Sequence, residues 1–172
     1  MAEGVNMAAV ALPQHGGCLC GAIRYALGAA PLLAYVCHCH DCQTRSGAAF
    51  TLTLVIRTAD LAVTGTVESA PRPMRSGRDI EHAYCPSCRV PLFSRASAAP
   101  DYMSLRAGTL DDAHWVLPIA QVFVESAIPW AVIPHVRAVP WDEFDFVAFG
   151  QAWTANAPDF AAGGAEAPLP DP

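Results

Sequence analysis

The residues best suited to chemistry lie in one short stretch, VCHCHDCQTRSG, at residues 36–47. Three cysteines, two histidines and an aspartate fall within six consecutive positions there. Thiolate and imidazole are common zinc ligands in proteins. Cys37, Cys39 and Cys42 can therefore cap one face of a metal ion. Three thiolates leave one position of a tetrahedral ion vacant, which indicates a catalytic or ligand-exchanging site.

The other cysteines predict a second, closed metal site. The chain has seven cysteines, and four of them form a C-x-C pair, Cys18 and Cys20, and a C-x-x-C pair, Cys85 and Cys88. These pairs supply four thiolates, which is enough to complete a tetrahedral zinc site. We expect that site to be structural and to contribute to the folding free energy.

Some alternatives for the cysteines remain open at this point. His38 or His40 could fill the fourth position of the three-cysteine site, or both could be ordinary loop residues. All-thiolate sites also suit iron–sulfur clusters or Cu(I), although a division into four and three favours zinc. An odd number of cysteines fits a disulfide framework poorly. The sequence therefore predicts two zinc ions per chain.

Composition excludes several classes of protein. The net charge of −6, with no basic stripe, argues against a nucleic-acid partner. No apolar run reaches the ~18–20 residues of a membrane span, and the N-terminus lacks the basic region of a signal peptide. We therefore expect a soluble, cytoplasmic protein with no membrane partner. All ten basic residues are arginine, so lysine-based Schiff-base chemistry is excluded.

The chain length of 172 residues fits one domain. We expect a flexible lead over 1–14, a zinc-binding domain over 15–150, and a disordered tail over 151–172, which is rich in Ala, Pro and Gly. Short segments rich in Val, Ile, Thr and aromatic residues predict strands, and hence a mainly β domain. The predicted strands are 20–27, 32–37, 48–56, 61–65, 80–85, 102–110 and 120–126, with a loop or hairpin at 69–79 and an irregular arm at 128–149.

The order of these motifs resembles the glutathione-dependent formaldehyde-activating enzyme (GFA) family, which includes the centromere protein V relatives. The resemblance is carried by GGCLCGAIRY, CHCHDCQTRSGAAF, YCPSCRVPLFS and AGTLDD, and runs from about residue 16 to residue 130. It implies a β-tent fold, in which small antiparallel sheets are organised around zinc. It also implies that the four-cysteine set holds the structural zinc and the three-cysteine set the catalytic one.

The resemblance implies an activity as well. Family members condense formaldehyde with glutathione to S-hydroxymethylglutathione, a reaction classed as a carbon–sulfur lyase in reverse. The chemistry suits an open zinc, because a coordinated thiol is held as thiolate at neutral pH. The expected partner is a small thiol such as glutathione. Two rival hypotheses are a non-catalytic thiol-binding module and a structural, partner-binding protein with both zinc sites closed.

The sequence departs from the family at three positions. Gln43, Arg89 and Gln121 stand where arginine, glycine and histidine are common. Gln43 and Gln121 keep hydrogen-bonding groups and are candidate substrate-binding residues. Arg45 could bind a carboxylate, such as the glycyl group of glutathione.

Other residues have both a functional and an ordinary interpretation. Arginines in the loop before the second cysteine pair could form an anion pocket or a solvated surface, and aromatic residues could line a cleft or the core. His82 and Asp41 could support the metal sites or be ordinary residues. The arginines are Arg72, Arg75 and Arg78, and the aromatic residues are Trp115, Phe123 and Trp130.

Overall fold

The chain folds into a mainly β structure, which confirms the predicted fold class. The computed structural model describes residues 9–75 and 77–162. Within these ranges the chain forms thirteen strands and two α-helices, joined by loops and single-turn 3-10 helices. The strands are β1 Val10–Leu12, β2 Gln14–Gly17, β3 Arg24–Leu27, β4 Leu33–Cys37, β5 Thr51–Arg57, β6 Leu61–Thr64, β7 Glu68–Pro73, β8 Asp79–Tyr84, β9 Pro91–Ala96, β10 Tyr102–Arg106, β11 Ala120–Val122, β12 Arg137–Val139 and β13 Phe160–Ala162, and the helices are α1 His40–Ser46 and α2 Phe146–Thr154.

The largest sheet has eight strands in the order β12-β11-β4-β5-β10-β9-β8-β7. Across the sheet, the neighbouring strands β4, β5, β10, β9, β8 and β7 are antiparallel to one another. In contrast, β11 is parallel to both β4 and β12. All five residues of β4 are buried, as expected for an apolar strand inside a sheet. Because β4 ends at Cys37, it fixes the first thiol of the three-cysteine motif at the end of a buried strand.

One face of this sheet positions the functional side chains. Residues directly opposite each other in antiparallel strands point to the same face, so the register defines a set that we call the site face. The opposite face contributes Leu54, Ile56 and Leu105 to the core. Tyr25 of β3 and Ile23, which directly precedes β3, belong to the same core. The site face comprises Leu33, Tyr35, Cys37, Thr51, Thr53, Val55, Ser104, Arg106, Ser94 and His82.

A smaller sheet holds the other end of the molecule. It has the antiparallel order β2-β3-β6. Gly16 lies in β2 against the Tyr25 ring and the Thr109 carbonyl, where a Cβ atom would overlap both. The Tyr25 hydroxyl also hydrogen-bonds the Thr109 hydroxyl at 2.8 Å. This close contact holds β2, and with it the first cysteine pair, against the segment that follows β10.

The structure differs from the expected flexible lead and disordered tail. β1 and β13 pair as parallel strands, and α2 continues across the expected boundary at 150. The Phe160 ring packs edge-on against Trp115, with ring centroids 5.4 Å apart. Partial burial of Phe160 against the core gives the Ala-rich segment a contact that its composition did not indicate. The rest of the expected lead and tail, at 1–8 and 163–172, lies outside the described residues.

Neither helix was predicted from the sequence. α1 is short and contains Cys, His, Asp and Thr, which have low helix propensity; it ends at Gly47, whose φ is 64°. α2 lies in the expected irregular arm, and it begins where the Asp145 carboxylate accepts hydrogen bonds from the Val147 and Ala148 amides. Among the described residues, no helix is long and apolar enough to cross a membrane.

Candidate metal centres

Four thiols meet where the two sheets approach each other. Cys18 and Cys20 follow β2, and Cys85 and Cys88 follow β8; their four Sγ atoms lie within 4.8 Å of one another. The Sγ atoms of Cys18 and Cys20 are 3.5 Å apart, and those of Cys20 and Cys85 are 3.7 Å apart. A tetrahedral zinc with Zn–S bonds of about 2.3 Å places its sulfurs about 3.8 Å apart. The four-thiol cluster therefore fits a closed tetrahedral metal site.

Backbone amides donate hydrogen bonds to sulfurs of this cluster, which favours the thiolate form that binds a cation. The Ile23 amide donates to the Cys18 Sγ at 3.2 Å. The Val90 amide hydrogen-bonds the Cys88 sulfur and has the largest effect in lowering the Cys88 pKa to about 6. Arg89 has a φ of 61°, so an arginine occupies a left-handed position that favours glycine. The turn from Cys85 to Val90 therefore aims a backbone amide at the Cys88 sulfur, and it holds Arg89 in a strained conformation.

Three thiols form a separate cluster at the end of β4. Cys37 ends the strand, Cys39 precedes α1, and Cys42 lies within α1; their Sγ atoms lie within 4.8 Å of one another. The Cys37 and Cys39 Sγ atoms are 3.4 Å apart. Cys37 and Cys42 are buried, whereas Cys39 is partly exposed. The helix thus turns the third sulfur back towards the first two, as a single metal ion requires.

The three thiols stabilise negative charge within the group. Hydrogen bonds from Cys37 and then Cys39 lower the Cys42 pKa, while donation to Cys39 raises the Cys37 pKa. Hydrogen bonding within the group therefore favours the thiolate form at Cys42 and the protonated form at Cys37. A divalent cation would replace those protons and hold all three sulfurs as thiolates. The three-thiol cluster thus fits a metal ion on one side.

The histidines of the motif lie outside this cluster. His38 is fully buried, with its Nε2 atom 3.1 Å from the Gln121 Oε1 atom and its ring edge-on to Phe50. His40 is exposed on α1. In the described part of the chain, no histidine or carboxylate joins the three sulfurs within 4.8 Å. The geometry therefore gives no support to a site closed by either histidine.

A sequence model described as glutathione-dependent formaldehyde-activating enzyme (GFA) matches residues 13–126, which is more than half of the chain. The chain belongs to the GFA family. None of the curated proteins compared with it matches. A crystal structure of a Rhodobacter sphaeroides protein is similar at 18% sequence identity and a TM-score of 0.46, covering 73% of this chain and 99% of the other.

The two glutamines predicted to bind substrate are engaged inside this GFA domain. The Gln43 Nε2 atom donates to the carbonyl oxygens of His38 and Ser126, at 2.7 and 2.8 Å. The Gln121 Nε2 atom donates to the Ile133 and Val136 carbonyls, while its Oε1 atom accepts from the Ile133 amide. Both amides connect the segments around the three-thiol cluster. The Gln43 Nε2 atom and both polar atoms of the Gln121 amide already have protein partners.

Arg45 lies in a polar pocket beside the three-thiol cluster. This pocket, of about 550 Å³, lies between α1 and the hairpin of β8 and β9. The Arg45 Nη2 atom approaches the Met74 Sδ atom at 3.8 Å, and its buried Nη1 atom has no protein partner. Burial, followed by the Arg106 charge, lowers the Arg45 pKa. A desolvated guanidinium with spare donors favours an anionic ligand in this pocket.

The other sequence candidates separate into different places. Arg75 lines the polar pocket, and the Asp41 carboxylate accepts from its backbone amide at 3.0 Å. His82 also lines this pocket. Arg78 instead lies over the Trp141 ring, 4.4 Å from its centroid. The Arg72 side chain is outside what the structure describes.

The aromatic candidates do not line the cluster as a group. Trp115 is buried in the core, where its Nε1 atom donates to the Gln14 Oε1 atom at 2.9 Å. Trp130 is 78% exposed. Phe123 has a φ of 59° and stacks on Trp141, with ring centroids 5.2 Å apart. Of these three aromatic residues, Trp115 packs in the core, which was the second of the two interpretations offered by the sequence.

Sequence reasoning missed three polar residues around the three-thiol cluster. In addition to the neighbouring thiols, Arg106 and Thr51 lower the Cys42 pKa. Thr51 lies directly opposite Cys37 in the register, and Tyr35 precedes Cys37 by two residues on the same face. Burial raises the Tyr35 pKa, so its hydroxyl stays protonated and can donate a hydrogen bond. The alternation of β4 was the signal that would have placed Tyr35 beside the cysteines.

Proposed function

We propose that this GFA protein binds two zinc ions and catalyses reversible addition of a thiol, such as glutathione, to formaldehyde or another small electrophile. One observation carries the proposal: the three-thiol cluster has no fourth protein ligand among the described residues and lies beside a pocket containing a desolvated arginine. In the synthetic direction, a bond forms between the thiol sulfur and the carbonyl carbon, and the thiol proton ends on the carbonyl oxygen. The reverse direction is a carbon–sulfur lyase reaction.

Each part of the proposed site has a role set by its surroundings. Zinc, when bound, would supply an electrophilic position for the substrate thiol as its fourth ligand and would keep that thiol deprotonated near neutral pH. Cys37, Cys39 and Cys42 hold that ion at the surface of the core. Arg45 binds a carboxylate of the incoming thiol and so orients its sulfur towards the cluster. Gln43 acts indirectly, because it ties the His38 and Ser126 carbonyls together and thereby fixes the start of α1.

The four-thiol cluster has a structural role in this proposal. It joins the loop after β2 to the loop after β8, and each loop belongs to a different sheet. All seven cysteines are free thiols rather than disulfides. Thiols and glutathione both suit a reducing compartment, so we place the protein in the cytoplasm.

The deciding experiment measures exchange between glutathione plus formaldehyde and their adduct by NMR exchange spectroscopy. Zinc-loaded protein is compared with Cys37→Ser and with a sample lacking protein. We expect a rate enhancement that Cys37→Ser abolishes while leaving the four-thiol cluster zinc-loaded. No enhancement from protein with two zinc ions per chain would contradict the proposed reaction.

A second function, a thiol-binding module without turnover, is favoured by the lack of an obvious general base. Among the described residues, no histidine or carboxylate joins the three-thiol cluster, and His38 Nε2 is paired with Gln121. Such a module would lower the free glutathione concentration without changing the exchange rate. The same NMR experiment separates the two functions, because it reports both quantities.

Cobalt substitution tests the remaining rival, in which both sites are closed. An open three-thiol site would change its visible spectrum when glutathione is added, since the thiol becomes a fourth ligand. Cys42→Ser should remove that response, and the four-thiol cluster should not respond. A spectrum unchanged by glutathione in the fully loaded protein would favour the structural, partner-binding interpretation.

A further inference from the structure

A large apolar cavity lies on the site face, on a different set of residues from the polar pocket. It has a volume of about 1050 Å³. Its floor includes Leu33, Tyr35 and Val55 from the central strands β4 and β5, with Ser104 of β10 beside them. Ligand sites in proteins are typically concave and mostly apolar, with a few polar groups that fix orientation. The size and lining of this cavity therefore suit a small molecule with an apolar body.

One wall of the cavity comes from outside the part of the chain that matches the GFA family. Trp141, Phe146 and Val147 line that wall, from the 3-10 turn and from α2, whereas the family match ends at 126. Phe146 packs edge-on against Phe144, with ring centroids 4.9 Å apart, and against Trp141. This wall therefore lies outside the segment that the family match covers.

The cavity and the three-thiol cluster share one strand, β4. Cys37, Tyr35 and Leu33 alternate on β4 and point to the same face. Each two-residue step along a strand covers about 6.6 Å. Cys37 belongs to the cluster, while Tyr35 and Leu33 line the cavity. A group of benzyl size on a sulfur at the cluster would therefore reach over Tyr35 into the cavity.

Charge is confined to the edge of this cavity. Arg57 is exposed at the end of β5, and Arg78 is held over the Trp141 ring. The other lining residues are uncharged. An uncharged apolar group can therefore enter without bringing an unpaired charge into the cavity, whereas an ionised group held away from these two arginines would lack a charged partner.

We propose that the cavity binds an aromatic or branched apolar group on the thiol adduct, so that the electrophile of this chain is an apolar aldehyde rather than formaldehyde. The inference rests on the proposed function and names its substrate class. The reaction adds the thiol sulfur to the aldehyde carbon and moves the thiol proton to the aldehyde oxygen, so no oxidant or reductant is needed. The polar pocket takes the carboxylates of the thiol, and the cavity takes the aldehyde-derived group.

Binding tests the cavity without requiring turnover. S-benzylglutathione and S-methylglutathione have the same peptide and the same thioether, and differ in the group that would enter the cavity. We expect calorimetry to give at least about tenfold tighter binding for the benzyl compound, because burial of a phenyl ring exceeds that gain. Equal affinities for the two compounds would overturn the proposal.

A matched pair of substitutions locates the binding. Ala96 lines the cavity, whereas Ala62 is exposed on β6 in the smaller sheet. Ala96→Trp should fill the cavity and reduce the benzyl preference to less than about threefold, while Ala62→Trp should keep it. If both folded variants kept the preference, the cavity would not be the binding site.

The exchange reaction separates failure of this inference from failure of the proposed function. Benzaldehyde and formaldehyde are compared with zinc-loaded wild-type protein, and Cys37→Ser is the control. A benzaldehyde rate enhancement that is lost in Ala96→Trp, while the smaller formaldehyde enhancement remains, supports the inference. Enhancement for formaldehyde alone would overturn the inference and keep the function. No enhancement with either aldehyde, alongside a cavity-dependent benzyl preference, would reject the reaction but keep the cavity as a ligand site.

Discussion

The two cysteine clusters use the same ligand chemistry but differ in what they connect. In the four-thiol cluster, Cys20 and Cys85 are 65 residues apart in sequence, and the cluster ties together loops from two sheets. In the three-thiol cluster, all ligands come from one turn between β4 and α1. A metal that closes a long loop contributes to folding, whereas a metal held within a short turn can be exchanged without separating distant parts of the chain. The difference supports the proposed division of roles, with folding at the four-thiol cluster and chemistry at the three-thiol cluster.

The largest effect that tests this comparison is loss of a ligand from the four-thiol cluster. Cys85→Ser should abolish cooperative folding at 25 °C. Structural zinc contributes roughly 10–16 kcal/mol in zinc-finger peptides, which is as large as the whole stability of a typical domain, about 5–15 kcal/mol. Cys42→Ser is the matched substitution in the three-thiol cluster and should remain folded with one zinc. Circular dichroism melting and zinc analysis measure both. Similar melting temperatures for the two variants would remove the distinction between the clusters.

A second effect concerns Gln121, which supports the three-thiol side without holding metal. Gln121→Ala should lower the free energy of unfolding by about 2–4 kcal/mol, because it leaves buried polar groups of His38, Ile133 and Val136 without partners. Urea unfolding measures the loss. Gln43→Ala is the control, with an expected loss of about 1 kcal/mol. A loss for Gln121→Ala no larger than that of its control would contradict the supporting role.

A third effect sharpens the assignment of chemistry to the three-thiol cluster. Arg45→Ala should raise KM for glutathione about tenfold with little change in kcat, because a charge-assisted bond to a carboxylate contributes about 1.5–3 kcal/mol. With 2-mercaptoethanol, which has no carboxylate, the same variant should behave like wild type. Arg75→Ala, at an arginine whose side chain is 68% exposed, is the control and should change KM less. Equal changes for the two thiols would show that Arg45 does not bind the carboxylate.

The smallest effect lies in the four-thiol cluster. Arg89→Gly should raise the free energy of unfolding by about 0.5–1 kcal/mol, because glycine adopts the left-handed conformation without the cost of roughly 1–2 kcal/mol borne by other residues. The loss of the exposed ion pair between Arg89 and Glu68 offsets only part of this gain. Arg89→Ala loses the same ion pair but keeps the strain, so it should be less stable than the glycine variant. Chemical denaturation of the zinc-loaded proteins ranks the three.

The sequence predicted most of the central framework and both sets of clustered cysteines. The strands predicted at 32–37, 48–56 and 61–65 correspond to β4, β5 and β6, because β-branched and apolar residues fit a pleated strand. The hairpin option at 69–79 corresponds to the turn between β7 and β8. Strand spacing also allowed Tyr35 to be placed beside Cys37, although that inference was not made.

Long-range contacts decided what the sequence left open. His38 could have faced the metal, but Gln121, 83 residues away, holds its Nε2 atom. Gln43 and Gln121 have hydrogen-bonding groups suited to a substrate, yet Gln43 also donates to the Ser126 carbonyl, 83 residues away, and Gln121 donates to the Ile133 and Val136 carbonyls of a later segment. No local pattern could reveal these partners.

By itself, the sequence determined which atoms can bind metal and in what groups, because thiolate chemistry and short spacing are local properties. Only the tertiary structure decided that one cluster joins two sheets, that no described histidine joins the three-thiol cluster, and that Leu33 and Tyr35 of the strand ending at Cys37 line an apolar cavity. Those properties depend on which side chains from distant segments share a face. The register of the sheet and the packing of α2 fix that arrangement, and both follow from burial across the whole chain.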